Sequence, residues 1–304
     1  MYDVIIIGSG PAGLTAAVYT TRANLKTLII AGSKWGGQLM LTTLVENYPG
    51  FPEGIQGPDL MMAMRKQAEH HGAEIVDVDF ASGDFVKSPF NISAGEITYQ
   101  GKSVIIATGA DNKWLDVPGE KEKIGRGVSS CAPCDAPFFR GKNTIVVGGG
   151  DSAMEEALVL AKFATNVTMI HRRDEFRASK IMQDRARSNP KIKFMFNSEI
   201  VEVLGEDRVT GVKVKNNKTQ DITEVSIDGV FVAIGHIPNT MVFKGVELDK
   251  QGFIIVHNHT KTNIDGVFVA GDVHDSHYKQ AVTAAGFGCM AALEAEKWLS
   301  NQEG

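Results

Sequence analysis

The sequence has few cysteines, no long apolar run and no excess of positive charge, and each absence excludes a class of protein. Three cysteines in 304 residues are too few for a disulfide-rich scaffold. No apolar run approaches the roughly 18 residues that a membrane-spanning helix needs. Basic residues number 31 against 36 acidic ones, so no basic surface for nucleic acid is indicated. With 43% hydrophobic and 22% charged residues, the chain is expected to fold into about two domains.

The N-terminal residues do not have the pattern of a signal peptide. An apolar strand, Val4–Ile7, begins almost at once, with neither a basic segment nor a cleavage site before it. We therefore expect no signal peptide. Together with the scarcity of cysteine, this predicts a cytoplasmic protein without a membrane anchor.

A glycine-rich turn between a buried strand and a helix occurs twice. The first is Gly8-Ser9-Gly10-Pro11-Ala12-Gly13 and the second is Gly148-Gly149-Gly150-Asp151-Ser152-Ala153. Each is followed by a helical stretch and a second apolar strand, which is the β-α-β context that a dinucleotide fingerprint requires. In such a turn one glycine permits the bend, one lets the backbone approach a pyrophosphate, and one allows close helix packing. The alternative is a glycine turn without a ligand, which the repetition disfavours.

The two units differ after their second strand. The first continues Ile30-Ala31-Gly32-Ser33 and has no acidic residue before Glu46, although an acid usually holds a ribose hydroxyl there. The second continues His171-Arg172-Arg173-Asp174-Glu175-Phe176-Arg177. Arginine forks bind phosphate, so this pattern favours NADPH over NADH. A solvated basic helix start is the alternative.

Further apolar strands end at residues that could meet a ligand. Val104–Ala107 ends in Thr108-Gly109, and Val267–Ala270 ends in Gly271-Asp272. Polar segments at 111–119 and 239–245 are candidate linkers. The sequence therefore predicts an α/β protein with two Rossmann-like dinucleotide-binding domains, in which one, at 114–244, is inserted into a discontinuous one at 1–113 and 245–304.

The pair Cys131-Ala132-Pro133-Cys134 is followed by Asp135. A zinc site usually needs four ligands, and the third cysteine, Cys289, is far away, so no metal is expected. A redox-active dithiol is the better interpretation, with two inert buried cysteines as the alternative. Asp135 has the chemistry of a proton donor and acceptor, or of a helix cap. Cys289 lies among alanines and is expected to be buried.

The order of these motifs resembles bacterial-type low-molecular-weight thioredoxin reductase. The motifs are GSGPAG, ATG, CAPCD, GGGDSA, HRRDEFR, GHIPN and AGDV, and they extend over nearly the whole chain. The resemblance implies an FAD-containing homodimer that passes electrons from NADPH through the flavin and the dithiol to thioredoxin. It also implies that Cys134 faces the flavin, Cys131 attacks thioredoxin and Asp135 is the acid and base.

The resemblance also assigns cofactor contacts by position. FAD contacts would be Gly8, Ser9, Gly10, Pro11, Ala12, Gly13, Ala31, Gly32, Ser33, Gly36, Gly37, Gln38, Asn47, Thr108, Gly109, Gly271, Asp272, Lys279, Gln280 and Ala281. NADPH contacts would be Gly148, Gly150, Asp151, Ser152, Arg172, Arg173 and Arg177.

Other functions stay open at this point. A flavin-dependent dithiol oxidase or a ferredoxin-fed reductase has no use for the arginine cluster. The flavin subunit of a peroxide-reducing system would carry a thioredoxin-like domain ahead of the first strand. A non-catalytic NADP(H)-binding protein has no use for the intact CxxC-Asp.

Overall fold

The apolar runs that precede the glycine turns form central strands of two sheets, each with parallel neighbours, in the computed structural model, which describes residues 1–302. The first part of the chain contains β1 (Tyr2–Ile7), α1 (Pro11–Arg22), β2 (Thr27–Ile30), β3 (Leu44–Val45), β4 (Ile55–Gln56), α2 (Gly57–His70), β5 (Glu74–Val76), β6 (Phe80–Asp84), β7 (Phe90–Ala94) and β8 (Ile97–Ile106).

The middle of the chain contains β9 (Ala110–Asn112), β10 (Val128–Ser129), α3 (Ala132–Asp135), β11 (Asn143–Val147), α4 (Asp151–Leu160), β12 (Asn166–His171), α5 (Lys180–Arg187), β13 (Ile192–Phe196), β14 (Ser198–Leu204), β15 (Gly211–Asn216), β16 (Ile222–Ser226) and β17 (Gly229–Val232). The last part contains β18 (His236–Pro238), β19 (Val267–Val269) and α6 (Ala281–Gln302).

The chain divides into two compact units. The first unit combines Met1–Asp111 with the chain from Ile237 onward, and the second unit is Asn112–His236. The second boundary falls earlier than the 244/245 expected from the sequence. The reason is packing, because Asn239 hydrogen-bonds through its N–H to Gly109 O at 3.0 Å and Phe243 is buried in the core of the first unit.

The sheet of the first unit has the order β5-β2-β1-β8-β7-β6, with β19 also paired to β8. Strands β5, β2, β1, β8 and β19 run parallel. Along β1, Val4 and Ile6 pack into one cluster while Ile5 and Ile7 pack into another. Both faces of the strand are therefore covered, as a continuous apolar run predicts for a parallel strand.

The second unit has a five-stranded parallel sheet of order β10-β17-β11-β12-β13 and a three-stranded antiparallel sheet, β14-β15-β16. The α/β class predicted from the sequence is confirmed. Among residues 1–302, no helix is both long enough and apolar enough to cross a bilayer. Cys289 departs from expectation, because it is only partly buried on α6.

Candidate functional site: two glycine turns and a disulfide

The glycines of the first turn differ in what surrounds them. A Cβ added at Gly8, whose φ is +112°, would collide with the carbonyl of Ala107, and one at Gly13 would collide with the carbonyl of Gly8. A Cβ at Gly10 would meet nothing within 4 Å. Gly8 and Gly13 therefore serve the bend and the packing of α1, whereas Gly10 borders open space at the N-terminus of that helix, where N–H groups are free to bind an anion.

Ser9 joins the loops that surround this turn. Its hydroxyl donates to Ala31 O at 2.7 Å and accepts from the N–H of Gly36 at 3.0 Å. A Cβ built on Gly37 would lie 3.6 Å from Gly10 Cα, so the two glycine backbones approach each other. The side chain of Ser9 is thus engaged within the protein, and it fixes the segment after β2 beside the glycine turn.

An acidic residue from the segment between β5 and β6 reaches the loop that follows β2. Asp79, just beyond β5, accepts hydrogen bonds from the N–H of Ser33 at 2.8 Å and from its hydroxyl at 2.9 Å. These bonds lower the pKa of the Asp79 carboxyl. Sequence reasoning missed Asp79 because it did not recognise Glu74–Val76 as a strand next to β2.

Asp272 follows β19 and carries a buried carboxylate oxygen. Its Oδ1 has no hydrogen-bond partner among residues 1–302. Burial, followed by the nearby charge of Asp275, raises the pKa of Asp272 from 3.8 to about 6, although Lys279 opposes the shift. A buried acceptor without a donor is costly, so this atom suits a hydroxyl donor from a ligand.

Several other first-unit residues expected at the cofactor have side-chain partners within the protein. Asn47 Nδ2 donates to Gln280 Oε1 at 3.3 Å, and Gln38 Nε2 donates to Asp111 Oδ1 at 2.9 Å. Lys279 Nζ donates to Ser276 O at 2.6 Å, on its own turn just before α6. These side chains shape the loops around the strand ends. Nothing lies within 4 Å of a Cβ built on Gly109, so a second glycine borders open space.

The second glycine turn repeats the pattern of the first. A Cβ on Gly148 would collide with the carbonyl of Ala233, one on Gly149 would strike the ring of His171, and one on Gly150 would meet nothing within 4 Å. Asp151 Oδ1 accepts from the N–H and hydroxyl of Ser179 at 2.8 and 2.9 Å. This first helical residue therefore ties α4 to the end of the arginine segment.

The arginine segment, residues 172–177, is held against the second glycine turn. Gly149 O accepts the N–H of Arg177 at 2.7 Å, and Phe176 packs on the buried ring of His171. The side chains of Arg172, Arg173 and Arg177 are exposed, and none makes a salt bridge within the described part of the chain. Three exposed arginines on a segment bonded to the second glycine turn have the chemistry that a phosphate requires.

Cys131 and Cys134 form a disulfide in the second unit, and both are half-buried. The N–H of Cys131 donates to Ser129 Oγ at 3.0 Å. Burial raises the pKa of Asp135, and a hydrogen bond with Ser129 opposes that shift. A carboxyl that retains its proton above the ordinary range lies next to an accessible disulfide, which suits proton transfer during thiol exchange.

Comparisons with known proteins agree with this arrangement. A pyridine nucleotide-disulphide oxidoreductase family model matches residues 2–288. The chain belongs to this family, among its thioredoxin reductases. It is 52% identical to a thioredoxin reductase of Mycolicibacterium smegmatis, over 100% of this chain and 98% of the relative.

Two further relatives bear on the assignment. A bifunctional thioredoxin reductase/thioredoxin of Mycobacterium leprae is 52% identical, over 100% of this chain and 67% of that protein. A thioredoxin reductase structure from Giardia duodenalis matches with a TM-score of 0.94 and 45% identity, covering 98% of this chain and 99% of that one. The thioredoxin reductase family predicted from the motifs is confirmed, and the protein is an oxidoreductase that acts on sulfur.

Proposed function

We propose that this thioredoxin reductase family member carries electrons from NADPH through bound FAD to the Cys131–Cys134 disulfide, and from the resulting dithiol to oxidised thioredoxin. The observation that carries the proposal is the half-buried disulfide followed by Asp135, whose pKa is raised by burial. The relative that carries reductase and thioredoxin in one chain supports the choice of protein substrate.

The residues of the first unit fit FAD. Gly10 and Gly109 leave open space at the strand ends, and α1 offers N–H groups to a diphosphate. The unpartnered Oδ1 of Asp272 fits a hydroxyl of a sugar-like chain. Bound there, FAD supplies a ring that accepts a hydride and passes an electron pair to a disulfide. The protein residues bind and orient FAD, and Asp79 fixes the loop that contains Ser33.

The residues of the second unit fit NADPH. Gly150 borders open space at the start of α4, which suits the diphosphate. The unpaired Arg172, Arg173 and Arg177 suit a 2′-phosphate, which carries nearly two negative charges. NADH lacks that group, so this site should discriminate between the two nucleotides.

The proposed electron transfer accounts for every bond and proton at the Cys131–Cys134 pair. Reduction breaks the Cys131–Cys134 bond with two electrons, and the leaving sulfur needs a proton, which Asp135 is placed to hold. A Cys131 thiolate then attacks one sulfur of the thioredoxin disulfide and releases the other. Attack by Cys134 on Cys131 re-forms the bond and frees reduced thioredoxin.

The test compares Cys131→Ser and Cys134→Ser with Cys289→Ser, which removes a thiol outside the loop. Anaerobic titration with NADPH should bleach the flavin absorption in all three proteins. Thioredoxin reduction should be lost in the first two variants and retained in the third. Retained thioredoxin reduction in either loop variant would overturn the route.

Assays with ferredoxin, with oxygen and without thioredoxin separate the remaining alternatives. Reduction by ferredoxin but not by NADPH would indicate a ferredoxin-fed enzyme, and rapid oxygen consumption without need for thioredoxin would indicate an oxidase. A protein that binds NADPH but reduces no disulfide would be a non-catalytic binder. The unpaired arginines favour the NADPH-fed reductase over the first two.

We further propose that the partner of the first unit is a second copy of this chain. Half-exposed apolar side chains at Tyr19, Val282, Met290 and Leu293 recur on one face of α6 and the neighbouring α1. A self-complementary apolar face of this kind suits a two-fold dimer. Leu293→Arg should convert the dimer to monomer in sedimentation analysis, whereas exposed Ile222→Arg in the second unit should not.

The proposed NADPH requirement and the scarcity of cysteine also favour a location in the cytoplasm.

A further inference from the structure

A carboxylate from α4 reaches the peptide group between the two cysteines. Glu156 Oε2 accepts a hydrogen bond from the N–H of Ala132, which is fully buried. Glu156 lies on the helix that begins at the second glycine turn. This contact joins the redox loop, residues 131–135, to α4, the helix proposed to bind the nucleotide.

The other N–H groups of this turn already have partners. Those of Cys134 and Asp135 donate to Cys131 O at 3.2 and 3.1 Å, and that of Cys131 donates to Ser129 Oγ. Pro133 has no N–H. The N–H of Ala132 is the donor that this turn leaves for an anion, and Glu156 occupies it. A thiolate at Cys131 therefore lacks the N-terminal donor that stabilises thiolates at helix starts.

The charge of Glu156 acts differently on the two redox states. A disulfide carries no charge, whereas a dithiol at neutral or alkaline pH carries a thiolate. A carboxylate held on the adjoining peptide repels that thiolate and disfavours the reduced form. The redox loop and α4 also carry Asp135, Asp151 and Glu155, and Arg140 lies just beyond the loop. The helix α5, which packs on α4, carries Lys180, Asp184, Arg185 and Arg187. Asp151 is bonded to Ser179 and Arg140 lies over the ring of Phe163, so Glu156 is the group bonded to the loop itself.

We propose that Glu156 is a positioning residue that fixes the redox loop through Ala132 and, by its negative charge, makes the dithiol a stronger reductant. A less stable reduced form gives electrons away more readily. This inference rests on the proposed function only in requiring that the Cys131–Cys134 pair be redox-active.

The test uses Glu156→Gln, which keeps an acceptor oxygen but removes the charge. The holoprotein is equilibrated anaerobically with dithiothreitol buffers, and the Cys131–Cys134 peptide is quantified by alkylation and mass spectrometry. At a pH above the apparent pKa of Cys131, the equilibrium constant for reduction should rise about three- to tenfold, since a unit of pKa is a factor of ten. That corresponds to about 15–30 mV toward a more positive potential. Iodoacetamide alkylation should show an apparent pKa for Cys131 lowered by about half to one unit.

Glu155→Gln is the matched control, because it removes the same charge from an exposed neighbour on the same helix. Its equilibrium constant should stay within about twofold of wild type. Glu156→Ala, which also frees the N–H of Ala132, should shift the potential at least as far as Glu156→Gln. Should Glu156→Gln unfold, two other variants still decide the question. Glu156→Ala should shift the potential, whereas Glu156→Asp, which retains the charge, should keep the wild-type potential.

Two failures are distinguishable. A wild-type disulfide that no dithiothreitol buffer reduces would contradict the proposed function. A wild-type disulfide that is reduced normally, with Glu156→Gln and Glu155→Gln at the same potential, would overturn the role of Glu156. A changed melting temperature without a changed potential would assign Glu156 a purely structural role and would also overturn it.

Discussion

The buried carboxyl of Asp272 allows a stability measurement to test the proposed FAD site. Its pKa is raised from 3.8 to about 6, first by burial and then by Asp275. A shift of about two units corresponds to about 3 kcal/mol, at 1.36 kcal/mol per unit. Because folding raises this pKa, the carboxyl contributes about 3 kcal/mol to the free energy of unfolding below pH 4, and this contribution is lost as the pH rises to 6. Above pH 6 the FAD-free protein therefore has about 3 kcal/mol less stability than a neutral side chain would give it.

Asp272→Asn removes the charge and nearly keeps the shape. In the FAD-free protein, the free energy of unfolding in urea should equal that of wild type near pH 4. Above pH 6 it should exceed that of wild type by about 3 kcal/mol. FAD affinity should change in the opposite direction, falling about tenfold or more, because a hydrogen bond to a charged acceptor is weakened. A stability difference that is the same at every pH would refute the reasoning.

Asp275→Asn is the control for this experiment. Asp275 accepts from the N–H groups of His277, Tyr278 and Lys279 at 2.8 to 2.9 Å. Its carboxylate is satisfied within the protein, so its replacement should destabilise the FAD-free protein. Two neighbouring aspartates, changed in the same way, should thus move stability in opposite directions.

Three further variants test the other proposed roles. Asp135→Asn should be at least as stable as wild type at pH 7, because burial raises the pKa of Asp135 and its ionisation costs stability as the pH rises. Thioredoxin reduction by this variant in a steady-state assay should nevertheless fall about a hundredfold. Arg172→Ala should raise the KM for NADPH at least about tenfold and leave NADH kinetics nearly unchanged, and equal losses would contradict a 2′-phosphate contact. Asp79→Asn should weaken FAD binding about three- to tenfold, as measured by flavin fluorescence on release, with no change in the KM for NADPH, because Ser33 loses an anionic acceptor.

Local patterns were sufficient to predict the elements that carry the glycine turns. The strand before Gly8, the helix after it and the strand ending at Ile30 all lie where the apolar runs place them, at β1, α1 and β2. The reason is that a parallel strand buried on both faces must be apolar throughout, and the turn after it needs glycine at the bend. Asp272 lies just beyond β19, as the apolar run before it predicts, and its role at a cofactor stays a prediction.

Contacts between distant segments were not predictable in the same way. Asp79 bonds to Ser33 across 46 residues, and Glu156 bonds to Ala132 across 24. Each pairing depends on which strand or helix packs beside which, and the spacing of residues carries no record of that. The second boundary falls earlier than expected for a similar reason, since the Asn239 and Phe243 contacts with the first unit arise only on folding.

The charge beside the second strand of each glycine-turn unit would direct the two proposed dinucleotides to different units. Both glycine turns offer the same open helix N-terminus, at Gly10 and Gly150, so neither turn by itself distinguishes one diphosphate from another. Beside the first turn lies the carboxylate of Asp79, which would repel the extra 2′-phosphate of NADPH. Beside the second lie three unpaired arginines, which would attract it. On the proposed assignment, these opposite charges beside two copies of one motif would direct the nucleotide that carries a 2′-phosphate to the second unit.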